Sequence, residues 1–173
     1  MRTAVVLASV VADPESVAAT ADRLEDADMD PIVVCRDDQR LAVSDGADSD
    51  HRIVVDPVPE GGPVAAMRAG LRAARTRTAL VTTPGTPRLS PGALASLSPA
   101  SSVDATLATV DGRRREPCGG YAVEAATEAC DTTLAIGSRR LGDVLARLST
   151  TTEAVESVPH STAPTGAAVT STN

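Results

Sequence analysis

The sequence predicts an α/β protein, a Rossmann-like three-layer sandwich with helices on both faces of a mostly parallel sheet. Three observations point there. Short apolar runs rich in Val, such as "TAVVLA" at residues 3–8, suit strands buried on both faces. Each run leads into a segment with helical spacing, and repeated strand-then-helix units with right-handed crossovers give a parallel sheet. The 173 residues fit one domain with a core large enough to need no disulfide or metal.

The elements follow in chain order. After the first strand, "DPESVAATADRLEDA" supplies an Asp13 cap, Pro14 at the first helical position, the early acid Glu15, and one apolar face from Val17, Ala18, Ala21 and Leu24. "PIVVCR" (31–36) is the second strand, 37–51 is a polar segment without a clear element, and "RIVVD" (52–56) is a third strand ending at Asp56. "GGPVAAMRAGLRAA" (61–74) is a helix entered through Gly61, Gly62 and Pro63. "TALVTT" (78–83) is the fourth strand, and "SPGALASL" (90–97) a short helix with Ser90 capping and Pro91 in its first turn. Beyond it, 103–110 and 116–123 read as strands, 125–135 and 139–148 as helices, and "AVESVP" (154–159) as a last short strand. The domain is expected to span residues 1–160. The small, polar tail 161–173 has little to bury and should be flexible.

Composition narrows the function. All sixteen basic residues are Arg, none is Lys, and 23 acids bring the formal charge to −7. The clusters Arg72, Arg75, Arg77 and Arg113 to Arg115 make no basic face, so nucleic acid is not an expected partner. The longest apolar run, "AVVLASVVA", is about half a bilayer span and lacks a signal-peptide cleavage pattern, which favours a protein of the cytoplasm. Cys35, Cys118 and Cys130 form no CxxC pair and read as small buried hydrophobes, so no metal site is expected. His51 and His160 lie among polar residues, and surface positions explain them at least as well as catalysis.

In an open parallel sheet, ligands sit where strands end and helices begin. The turn after the fourth strand, "LVTTPGTPRLSP", offers only Thr82, Thr83, Gly85 and Thr86, with no carboxylate. The first loop, "SVVADPES", holds no glycine, so neither a dinucleotide fingerprint nor a Walker loop is present.

Four segments in serial order nonetheless resemble one family. "VVDPVPEGGPVAAMRAGL" (54–71) is similar to the block of the molybdenum cofactor guanylyltransferases, the MobA-like nucleotidyltransferases, in which an Asp ending a strand precedes a Gly-Pro-Leu turn and a helix. "ALVTTPGTPRLSPGAL", "DGRRREPCGGYAV" and "GSRRLGDVLARL" resemble the family's next three segments, and together they cover about residues 1–158. The resemblance implies a glycosyltransferase-A-like nucleotidyltransferase fold, and an activity that moves the nucleoside monophosphate of GTP to a molybdopterin phosphate with Mg²⁺.

Carried over residue by residue, it places Leu7 and Ala8 at the remnant of the nucleotide loop. It sets Asp56, Gly61, Gly62 and Pro63 against the base and ribose, Gly85 and Thr86 in a vestigial metal turn, and Arg113, Arg114 and Arg115 beside the acidic pterin. The family's metal Asp falls on Gly85, and a chain without lysine cannot supply the loop's cation. A metal contributes several kcal/mol to phosphoryl-type transfer, so its loss alone costs about a thousandfold in rate. Three readings follow: a catalytically silent relative that binds a nucleotide, a pterin or a partner protein; an active nucleotidyltransferase with a divergent site; and an interaction protein. An ordinary strand-to-helix turn at "EGGP" and a solvated hairpin tip at the arginines are the bland alternatives, and Tyr121 reads as core packing.

A Lys-free, Asp-rich chain suits a halophile's cell, where the screening length shrinks to about 3 Å at 1 M salt. A genome biased toward GC would also exchange Lys for Arg, but would not by itself make the surface acidic. Thermal unfolding followed by circular dichroism separates the two: adaptation to salt predicts a Tm that climbs steadily from 0.1 M to multimolar KCl, and genome bias alone predicts no such climb.

Overall fold

The computed structural model describes residues 2–10, 13–45, 51–84, 86 and 89–156. Seven strands, β1 (Arg2–Leu7), β2 (Met29–Cys35), β3 (Arg52–Val55), β4 (Thr78–Thr82), β5 (Ala105–Val110), β6 (Arg113–Ala122) and β7 (Thr150–Ala154), form one sheet in the order β3-β2-β1-β4-β6-β5-β7. β6 pairs antiparallel with both β4 and β5, and the other pairings are parallel. Six strands therefore run one way, and their carboxyl ends share one edge of the sheet.

Helices α1 (Pro14–Asp26), α2 (Arg40–Asp45), α3 (Gly62–Ala73), α4 (Pro91–Ser96), α5 (Val123–Ala135) and α6 (Leu141–Leu145) complete the sandwich. Val17, Ala21 and Leu24 of α1 and Val43 of α2 pack with Ala4, Val6 and Val33 on one face. Val64, Met67 and Leu71 of α3, Ala126 and Cys130 of α5, and Val144 of α6 pack with Val5, Leu7 and Val34 on the other. Alternation along β1 thus feeds both cores, as a strand buried on two faces requires. The caps read from sequence form: the Ser16 N–H donates to Asp13 Oδ2 at 3.2 Å, and the Ala93 N–H to Ser90 Oγ at 3.1 Å.

Tyr121 is fully buried and donates its hydroxyl to the Pro117 carbonyl at 2.7 Å, and burial pushes its ionisation up. All three cysteines are buried and free, as expected of small hydrophobes. Burial raises the Cys118 thiol to about 11 and the Cys130 thiol to about 12, which keeps both un-ionised and inert.

Four expectations change. The polar segment after β2 is structured from 37 to 45, as a 3₁₀ turn followed by α2. The last strand covers 150–154 rather than 154–159, because the β-branched run Thr150–Thr152 pairs with Ala105–Leu107; residues 157–159 lie outside the described ones. β6 begins at Arg113, since Asp111 (φ 51°) and Gly112 (φ 70°) close a two-residue turn of the kind that favours hairpins. His51 is not a surface residue: its side chain is 2% exposed, with Nδ1 2.9 Å from Glu25 Oε1 and Nε2 3.0 Å from Asp22 Oδ1. Two acids three residues apart on one face of α1 receive it, a pairing that spacing across 26 residues of chain does not reveal. His160 and the tail 161–173 lie outside the described residues. Among those described, no helix is long and apolar enough to cross a membrane.

One contact fixes the height of α3 above the sheet. A Cβ on Gly70 would lie 2.2 Å from Val5 Cγ1 and 2.9 Å from Val34 Cγ2, so only glycine lets the helix rest on β1 and β2. Gly70→Ala should therefore cost about 1–3 kcal/mol through overpacking, despite the better helix propensity of alanine, as read from the midpoint of urea unfolding.

Candidate functional site

Three strand ends and one helix start converge at the carboxyl edge of the sheet. β1 ends at Leu7 and continues through a 3₁₀ turn, Ala8–Val10; β2 ends before Arg36; β3 ends before Asp56; and a 3₁₀ turn at Pro59–Gly61 leads into α3. Ser9, Arg36, Asp56, Pro59, Gly62 and Pro63 line a cleft of about 210 Å³ there. Because β1 connects to β2 on one side while β4 lies on its other side, the topological switch point of the sheet falls between β1 and β4 on this same edge, and the cleft lies to the β2–β3 side of it.

Asp56 is nearly buried, and its Oδ1 accepts the Val58 N–H at 2.9 Å, turning the chain toward α3. Arg36 is held by a fork: Nε donates to Asp38 Oδ1 at 3.0 Å and Nη2 to Asp38 Oδ2 at 3.2 Å. That pairing holds the Asp38 carboxyl below its usual range. Nη1 of Arg36 reaches the Ser9 carbonyl only at 3.5 Å, the outer limit of a hydrogen bond. Ser9 Oγ is buried with no hydrogen-bond partner. Gly62 has φ +61° and ψ −151°, a region open essentially to glycine alone, and it aims the first turn of α3 at the cleft. Gly61 serves packing instead, since a Cβ there would lie 2.6 Å from Ala65 Cβ.

The residues singled out from sequence separate into groups. Asp56, Gly62 and Pro63 line the cleft together, with Gly61 beneath them. Leu7 and Ala8 reach the same edge, but their side chains are buried in the two cores, leaving only backbone to face a ligand. Thr86 closes its turn on Thr83, with Oγ1 3.1 Å from Thr83 Oγ1 and its N–H donating to the Thr83 carbonyl at 3.0 Å; Gly85 lies outside the described residues. Arg113 and Arg114 are exposed and Arg115 half-buried on β6, beyond the last residues paired with β4. Arg114 is paired with Glu116, and Arg115 Nε is buried without a partner. Ser9, Arg36 and Pro59 were missed, although the first residue after the second strand is a place where an open sheet presents side chains to a ligand.

Magnesium was the metal the sequence resemblance implied. Among the described residues the cleft lining carries one carboxylate, Asp56, with one oxygen engaged by a backbone N–H. Neither Asp111, in the hairpin turn, nor Glu116 lines it. These residues do not fit a resident Mg²⁺ centre, which needs a fuller set of oxygen ligands or a substrate's own phosphates. The carboxylates of Asp22 and Glu25 do gather with His51, ligand atoms within 4.8 Å of one another, but at the opposite end of β3 from Asp56.

A family model described as a MobA-like NTP transferase domain matches residues 8–153. No curated protein matches the sequence significantly. Among solved structures, the chain is similar to molybdopterin-guanine dinucleotide biosynthesis protein A from Archaeoglobus fulgidus, with 19% identity and a TM-score of 0.67 over 89% of this chain and 83% of that one. It is also similar to a protein from Aquifex aeolicus, with 17% identity and a TM-score of 0.65 over 92% and 88% of the two chains. The 2-C-methyl-D-erythritol 4-phosphate cytidylyltransferase from Thermus thermophilus matches at 16% identity and a TM-score of 0.60 over 91% and 90%.

The positive φ at Gly62 generates a direct test of the cleft's geometry. Gly62→Ala should lose about 1–2 kcal/mol in equilibrium unfolding, although the nearest atom to the added methyl, Arg139 Cβ at 3.6 Å, leaves room for it.

Proposed function

The chain belongs to the family of MobA-like NTP transferase domains, and on that premise we propose that it binds a guanine nucleotide in the Asp56 cleft while being impaired in nucleotidyl transfer. The observation that carries the reading is the set of side chains at the carboxyl edge. Asp56, Gly62 and Pro63 furnish a carboxylate, an open backbone and an apolar wall at the place where the fold receives a ligand. What supports impaired transfer is that the chain has no lysine and that, among the described residues, the cleft lining carries one half-engaged carboxylate. Transfer of this kind depends on positioning and on neutralising charge. A nucleotide held without that neutralisation is bound far better than it is turned over.

The second reading is an active nucleotidyltransferase acting on molybdopterin or another phosphorylated small molecule. What favours it is the family itself, together with Arg113, Arg114 and Arg115 on the hairpin at the same edge, whose guanidinium groups suit an anionic acceptor. A role in protein interaction alone is the third. The proposed setting is the cytoplasm.

Calorimetry with GTP, CTP and ATP in multimolar KCl, with and without Mg²⁺, separates the three. Impaired transfer predicts micromolar GTP binding, lost by at least tenfold in Asp56→Ala, with no pyrophosphate released above background. Magnesium-dependent pyrophosphate release would establish the active reading, and a folded protein giving no heat with any nucleotide would leave interaction alone.

A further inference from the structure

We propose that His51 and Asp22 form a binding site for a divalent transition cation such as Zn²⁺ at the amino edge of the sheet, with Glu25 holding the imidazole in place. The site lies at the other end of β3 from the Asp56 cleft and does not depend on the nucleotide reading.

The ring is enclosed between two elements. The His51 side chain is 2% exposed and stands just before β3, while the half-exposed Asp22 and Glu25 come from the end of α1, which closes at Asp26. Residues three apart in a helix share a face, so both carboxylates reach one ring. Nδ1 lies 2.9 Å from Glu25 Oε1, and Nε2 lies 3.0 Å from Asp22 Oδ1. A neutral imidazole carries a single N–H. It satisfies one carboxylate and turns a lone pair toward the other, so a cation has to stand between that nitrogen and the facing oxygen.

Charge and geometry favour a metal over a second proton. A doubly protonated ring leaves one negative charge of the two carboxylates uncompensated, whereas a divalent cation on the neutral ring leaves none. The carboxyl end of α1 adds a negative partial charge of its own, which also favours a cation. Tetrahedral zinc, with bonds of about 2.0–2.2 Å, sets its ligand atoms about 3.4 Å apart. Nε2 and Asp22 Oδ1 therefore need to part only slightly to receive it. Glu25 then acts as a carboxylate behind a metal-bound histidine does: it accepts Nδ1–H, fixes the tautomer and raises the basicity of Nε2. Half-exposure of Asp22 leaves the remaining positions to water and gives the ion a way in. Imidazole paired with carboxylate suits Zn²⁺, whereas Mg²⁺ prefers oxygen ligands alone. The bound ion ties the end of α1 to the start of β3, across 29 positions of sequence.

Calorimetric titration of Zn²⁺ into the full, EDTA-treated chain tests the site with wild type, Asp22→Asn and Glu25→Gln. Potassium nitrate as the salt keeps chloride from competing for the metal, and circular dichroism checks that each variant is folded. Wild type should bind one equivalent in the micromolar range. Asp22→Asn should weaken binding by at least about tenfold, and Glu25→Gln by about tenfold, as the loss of a partner behind a metal ligand does. The same zinc should raise the Tm of wild type and barely move that of Asp22→Asn. No zinc bound by folded wild type, or equal affinity in Asp22→Asn, overturns the proposal and leaves a second proton as what joins the ring to Asp22. Magnesium binding as tightly as zinc overturns the role of the imidazole.

Discussion

The absence of a side chain at Gly70 governs where everything at the carboxyl edge stands. With no Cβ between them, α3 settles directly on Val5 and Val34, and its backbone is pinned to the plane of β1 and β2. A helix held that close delivers its first turn at a fixed height above the strand ends. Gly61 tucks beneath Ala65 for the same reason, and Gly62 then turns the chain through a conformation that other residues avoid. The cleft is in this sense a product of packing before it is a product of chemistry.

Much of this was legible in the sequence, because the signals involved are local. Continuous apolar runs gave β1 to β4, and Asp13 and Ser90 marked helix starts through hydrogen bonds that span three residues. Asp56 with Gly62 and Pro63 was readable because strand end, turn and helix are contiguous in the chain. What stayed hidden depends on partners distant in sequence. His51 looks polar and exposed until α1 places Asp22 and Glu25 on either side of its ring. Arg36 looks like one more arginine until Asp38 orients it and β1 brings Ser9 alongside. The last strand was misplaced because "AVESVP" has more apolar character, whereas pairing with β5 rewards the threonines just before it.

Charges of opposite sign stand close together at the carboxyl edge. Arg36 and Asp56 line the cleft, and Asp38 balances the Arg36 guanidinium from the surface beside it. Binding and catalysis are built from different interactions, and the fold alone fixes neither. In the turn after β4, Thr83 and Thr86 hydrogen-bond to each other.

Tyr121 has a consequence of another kind. It is the only aromatic residue in the chain, it lies at the centre of the core among α5, β4 and β5, and its hydroxyl is sealed against a backbone carbonyl. The protein therefore carries a single near-ultraviolet chromophore at its most protected point. Its absorbance and emission follow the opening of that core and are blind to the loops. Because burial keeps the phenol protonated well beyond the range of a free tyrosine, the onset of tyrosinate in alkaline solution marks loss of the native fold rather than titration of a surface group.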